Sequence, residues 1–160
     1  WGAVFEQYFQ EIDKVKGQKG VLSVEKKLFV ETNNGTNRQI RPVTPEQPLR
    51  IGDKVIVRLT IRTDREMNYV FLKDLRAGCF EPADQLSGPE SRDGIWYYRS
   101  PKDVSENFFI NRLPEGTFVL EYPVYVSRSG EYAGGISTIQ CMYAPEFVSH
   151  TAGESLRIMP

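Results

Sequence analysis

The 160-residue chain has one histidine, His150, and two cysteines, Cys79 and Cys141. Their scarcity excludes several chemistries. The cysteines are far apart in sequence, and neither a Cys-x-x-Cys nor a His-x-x-x-His spacing occurs, so a structural zinc site lacks a ligand set. Two thiols are too few for a disulfide scaffold. They could form one bridge if their Cα atoms lay within about 7 Å. Each falls in or beside a predicted strand, however, and buried free thiols are the simpler reading. A Cys–His pair would need His150 with a thiol on a packed strand, where burial raises the thiol pKa and makes it inert. A Ser–His–Asp triad needs the same histidine, and no Gly-x-Ser-x-Gly elbow occurs. His150 reads as a polar residue of a surface loop. Acidic residues are scattered, with no carboxylate pair standing out. The expectation is no enzyme activity, no cofactor and no metal.

Charge of one sign is also missing. Twenty Lys and Arg face 21 Asp and Glu, for a net charge of −1. Without a basic stripe, nucleic acid is not an expected partner. No apolar run approaches the ~20 residues of a membrane-spanning helix. Trp1 opens the chain without a basic n-region, so no signal peptide is visible and the chain reads as an excised piece.

What the chain does have is aromatic residues and alternation. Apolar residues make up 40% and aromatics 12%, enough for one sandwich core with Phe and Tyr between sheets. Val55, Val57, Leu59 and Ile61 face one way while Lys54, Arg58, Thr60 and Arg62 face the other. That is a strand with one face on a core and one in water. Leu22, Val24, Leu28 and Val30 share a parity, and Asn33-Asn34-Gly35 ends that run with a hairpin turn. Pro114 and Gly116 punctuate a turn before Phe118, Leu120, Tyr122, Val124 and Val126 alternate. Pro123, inside that strand, predicts an edge or a bulge. Further strands are predicted at 38–43, 69–75, 96–98, 104–113, 136–143 and 156–159. Nine or ten short strands with regular turns predict an all-β, antiparallel β-sandwich of two sheets over residues 21–160. Residues 1–20 read as the end of a preceding segment plus a linker. Val4, Phe5, Tyr8, Phe9, Ile12 and Val15 fit an amphipathic helix, but Trp1 to Phe9 also fit an aromatic strand followed by a helical turn near Glu11–Lys14.

The segment Asn107-Phe108-Phe109, Leu113-Pro114-Glu115-Gly116-Thr117 and the closing Gln140-Cys141-Met142-Tyr143-Ala144-Pro145-Glu146-Phe147 resembles the C-terminal domain of bacterial alpha-2-macroglobulin-like proteins. That family pairs a Leu-Pro-x-Gly turn and an aromatic strand with a Met-Tyr-x-Pro segment. Asp74-Leu75-Arg76-Ala77-Gly78-Cys79-Phe80-Glu81 is similar to the family's Asp-x-x-Pro-Ala-Gly-Phe-Glu stretch, with Arg76 where proline is common and Cys79 inserted. Gly78-Cys79-Phe80-Glu81-Pro82 also looks like the superfamily's thioester signature, Gly-Cys-x-Glu-Gln. Pro82 stands where the glutamine must be and has no side-chain amide to supply the acyl carbon, so this pentapeptide closes no thioester.

The resemblance implies a macroglobulin-like, immunoglobulin-like sandwich. It also implies a non-catalytic role at the end of a large cell-envelope protein that entraps proteases. The implied partners are other domains of the parent, the thioester region if there is one, and proteases through the parent; the piece itself would be monomeric. The implied location is periplasmic or outer-membrane-attached. Tyr143, Pro145 and Phe147 are the candidate interdomain contact, although packing of Tyr143 and Phe147 where the strand leaves the sheet is the favoured local reading. A different class is an adhesion or glycan-binding sandwich, which exposed Trp96, Tyr97 or Tyr98 would favour.

Overall fold

The computed structural model describes residues 21–160 apart from 35, 36, 45, 84–87, 93, 94, 103 and 154. The two readings of residues 1–16 and the segment 1–20 lie outside the described residues, as does the tip of the Asn33-Asn34-Gly35 turn. The described residues form strands and connecting loops, with no helix among them.

The first sheet has five strands. β1 (Leu22–Asn34) pairs antiparallel with β2 (Asn37–Pro42) and with β4 (Lys54–Thr63). β4 pairs with β10 (Gly116–Val126), and β10 with the short β6 (Phe80–Pro82). The order is β2-β1-β4-β10-β6. Alternation read from the sequence sets the inner face: Val55, Val57, Leu59 and Ile61 are buried, as are Leu120, Tyr122, Val124 and Val126. Gly116 has a φ of 138°, so the Leu-Pro-Glu-Gly turn uses a backbone conformation that only glycine takes readily. Pro123 sits where β6 stops covering β10. Its carbonyl accepts from Ala83 on that side, and its missing N–H points the same way, so no ladder bond is lost.

The second sheet has six strands. β5 (Met67–Leu75) lies between β12 (Ser137–Cys141) and β9 (Ser105–Leu113). β13 (Ala144–His150) forms one edge, and β8 (Ile95–Pro101) and β7 (Gly88–Arg92) continue to the other. The single strand expected at 136–143 is thus a hairpin. It turns at Met142 and Tyr143, and the segment continues as β13. Pro145 does not end the sheet, because it lies on an edge strand, where one missing donor is tolerated. His150 is also not in a loop: it closes β13 opposite Thr138 and is half-buried.

The inner faces of the two sheets share one core. Phe108 of β9 meets Tyr122 of β10 with ring centroids 6.1 Å apart. Beyond the two expected sheets stands a small third one, β11 (Gly130–Ala133), β14 (Ser155–Met159) and β3 (Leu49–Arg50). β3 runs parallel to β14, and the buried Leu49, Leu156 and Ile158 join the same core.

Candidate docking surface and a buried ionic centre

The turn between β12 and β13 presents Tyr143 almost completely to solvent, at 79% exposure. This overturns the packed reading of Tyr143. Burial stops at Cys141, and the next two residues form the turn itself. Phe147 does pack: it is half-buried against the core, with the Arg65 guanidinium 5.2 Å over its ring. Pro145 is exposed. The three candidate residues therefore share one hairpin but do not form one cluster.

Tyr69 holds the turn. Its carbonyl accepts from the Met142 N–H at 2.8 Å, and its ring meets that of Tyr143 edge-on at 5.0 Å. To do so Tyr69 adopts a φ of 59°, the one described non-glycine residue in the left-handed region. That conformation costs an L-residue about 1–2 kcal/mol. It also shifts the side-chain parity of β5, so that Met67 and Val70 both point inward while Asn68 and Tyr69 point out.

The outer face of the six-stranded sheet carries an aromatic row. Tyr98 is opposite Phe109, Phe109 opposite Phe71, Phe71 opposite Gln140, and Gln140 opposite Val148. Phe71 and Phe109 stack with centroids 4.8 Å apart and planes 28° from parallel. Trp96, one outward position along β8 from Tyr98, is 70% exposed. Tyr97 points the other way and is buried.

Between the sheets lies a polar centre that sequence reading missed. Asp74 is fully buried and accepts hydrogen bonds from Lys26 Nζ at 2.7 Å, Ser137 Oγ at 2.6 Å and the Tyr122 hydroxyl. Glu106 sits opposite Asp74 on β9 and is equally buried. Arg99 grips it twice, Nε to Oε2 at 3.1 Å and Nη2 to Oε1 at 3.0 Å, and Arg76 Nη1 adds a longer contact at 3.4 Å. Arg76 also donates to the Lys102 carbonyl. Burial, reinforced by the charge of Asp74, pushes the Tyr122 hydroxyl well above its ordinary range, so it stays a neutral donor. Lys26 further donates to the carbonyls of Leu75 and Gly135, at 3.2 and 3.1 Å. The signal for this centre was parity. Lys26, Asp74, Arg99, Glu106 and Ser137 all occupy inward positions of strands whose other inward residues are apolar.

Cys79 and Cys141 are both buried and unbridged. Burial pushes the Cys79 thiol up to about 11, so at neutral pH it is no nucleophile. Phe80 is tucked into the core beside it, and Pro82 pairs with Val124 on β10, so the Gly78–Pro82 stretch is a turn entering a strand.

Residues 22–146 match the family described as the bacterial alpha-2-macroglobulin MG10 domain, and the chain belongs to that family. Solved structures agree in fold. Salmonella alpha-2-macroglobulin reacted with methylamine superposes with a TM-score of 0.67 at 21% identity, covering 88% of this chain and 9% of that one. Trypsin-activated alpha-2-macroglobulin from Escherichia coli gives 0.67 at 17% identity, covering 89% and 10%. Native E. coli alpha-2-macroglobulin spanning domain MG7 to the C-terminus gives 0.65 at 17% identity, covering 88% and 24%. A curated relative, the circularly permutated Ras protein 2 of Dictyostelium discoideum, is 28% identical over 109 residues, which is 68% of this chain and 3% of that protein. The chain thus corresponds to a quarter or less of the proteins it resembles. These neighbours carry the domain within much longer chains, an arrangement consistent with packing against other domains of a parent.

Proposed function

We propose that this domain is a non-catalytic C-terminal part of a large bacterial alpha-2-macroglobulin-like protein that entraps proteases at the cell envelope, and that the Tyr143 turn contacts and shields the parent's reactive region. The observation that carries the reading is the turn itself. A large aromatic ring is held out in solvent at 79% exposure, and the strained Tyr69 fixes its position. Strain of that kind persists where the surrounding structure gains from it, and it clusters at contact and switch sites. Family membership supplies the context, and the neighbours named as reacted with methylamine or activated by trypsin supply the chemistry to test.

A second reading, the glycan-binding module, draws on the exposure of Trp96 and Tyr98. The stacking of Phe71 on Phe109 counts against it, because two adjacent rings spend their faces on each other and not on a sugar.

The test uses the full-length parent and its Tyr143→Gly variant, each treated with limiting trypsin. The trap reading expects discrete nicked pieces and a fall in protease activity on large substrates as they appear. Tyr143→Gly should fold normally yet lose its reactivity toward methylamine early, before any protease is added. Degradation without discrete pieces or inhibition would sink the trap; a variant indistinguishable from the wild type would sink the shield.

A further inference from the structure

We infer that the aromatic row on the outer face of the six-stranded sheet is a second docking surface, one that seats this domain on an apolar face of another domain of the same parent chain. The inference builds on the proposed function by supplying the anchor that keeps the Tyr143 turn in place, but it stands on different residues.

Outward positions of a one-sided sheet are normally polar. Here Trp96, Tyr98, Phe109 and Val148 are exposed, and Phe71 is half-exposed between Phe109 and Gln140. The row from Tyr98 to Val148 crosses five strands, about 19 Å at the usual ~4.8 Å spacing. It continues into the turn, because Tyr69 stands on the same face and meets Tyr143 at 5.0 Å. Gln140 is the one polar residue of the row, and an exposed surface otherwise this apolar marks an interface.

Three observations choose the occupant. The Phe71–Phe109 stack presents ring edges, which suit an apolar protein surface better than a sugar. The exposed Lys73, in the next outward position of β5 from Phe71, puts a positive charge beside the row that a carboxylate on the partner would meet. Finally, the same fold occurs in solved neighbours as 9 to 24% of one longer chain, so other domains of that chain are the surfaces at hand.

Hydroxyl-radical footprinting of the intact full-length parent reads this directly. The expected result is that Trp96, Tyr98 and Phe109 oxidise at least about tenfold more slowly than in the urea-unfolded parent, as buried interface side chains do. Trp96→Ser combined with Tyr98→Ser should raise oxidation at Phe109 while leaving the core ring Tyr122 protected, which separates undocking from unfolding. Oxidation of all three within about twofold of the unfolded rate, as for freely exposed side chains, would overturn the inference. So would protection that is lost on dilution, which means a second copy, or protection that appears only with added peptidoglycan fragments, which means a glycan. Tyr143 is read in the same experiment. A protected row with an exposed Tyr143 keeps the anchor and removes the shield; the reverse removes the anchor alone.

Discussion

Replacing Glu106 with glutamine changes one atom and removes one charge, in the most enclosed part of the molecule. The wild-type carboxylate is fully buried and answers two guanidinium groups whose side chains are 2% and 5% exposed. Glutamine keeps the shape but can accept through one oxygen only, and its amide points donors at Arg99 or Arg76. Two buried cations then lose the negative charge of Glu106. Breaking a buried pair by removing one partner costs about 3–5 kcal/mol. With a urea m-value of about 2 kcal/mol/M, the denaturation midpoint should fall by roughly 2 M. The second half of the argument is the triple variant Arg76→Met, Glu106→Leu, Arg99→Met. It removes these three charges together and replaces them with apolar volume, so it should be more stable than Glu106→Gln alone, because their desolvation penalty disappears with them. Urea unfolding followed by tryptophan fluorescence and circular dichroism gives both numbers. A Glu106→Gln loss below about 1 kcal/mol, the range of an exposed pair, would refute the claim that the low-dielectric surroundings set the cost. A triple variant less stable than the single one would refute the desolvation argument.

Gly135→Ala should be among the most damaging small substitutions. A Cβ there would lie 1.6 Å from the Leu75 carbonyl oxygen, so backbone must move. The same movement disturbs two of the carbonyls that receive Lys26, and the loss should exceed about 3 kcal/mol, read as a fall in melting temperature; an unchanged melting temperature would refute it. At alkaline pH, Cys79 and Tyr122 both favour the folded state while protonated. Their ordinary values are 9.0 and 10.0, and folding raises Cys79 to about 11 and Tyr122 well above its ordinary value. The unfolded chain therefore releases these protons first, so their stabilising contribution is intact below pH 9 and is lost as pH rises through 9 to 11 and beyond. Urea midpoints at pH 8, 9.5 and 11 should fall in that order, and Cys79→Ser should flatten the first step.

The strand pattern of this protein lies close to the surface of its sequence. β1, β4 and β10 alternate cleanly because one face of each is dry, and Pro123 falls where β6 leaves β10. Three things were harder to read. The Met142–Tyr143 turn has no glycine, and apolar residues stand on both sides of it, so period alone joined two strands into one; the turn depends on Tyr69, which lies more than seventy positions earlier. The short strands β3, β6 and β11 hold two to four residues each, too few to show a period. The ionic centre was visible only as a contradiction. Lys26 and Asp74 look like ordinary surface charges until each is counted with the inward residues of its own strand. Lys26 reaches Asp74 from the opposite sheet, and strand register sets Ser137 and Glu106 beside Asp74; a one-dimensional reading contains neither. Tyr143 was named as a candidate contact, and its exposure reverses the packing expected of it.

The pairing of β4 with β10 sets a schedule for the domain's birth on the ribosome. Val55 waits for Val124, 69 positions later in the chain. At roughly 5–20 residues per second of synthesis, that partner arrives about 3–14 s after β4 leaves the exit tunnel. β1, β2 and β4 can form a three-stranded sheet in the interval, since they are joined in chain order, but its β4 edge offers ten residues of unpaired backbone beside a dry face. A nascent chain with such an edge is open to pairing with its neighbours on the same message. Slow translation between residues 63 and 116 would lengthen that exposure, and the yield of folded protein should respond to the codons of a stretch that contributes little to the five-stranded sheet itself.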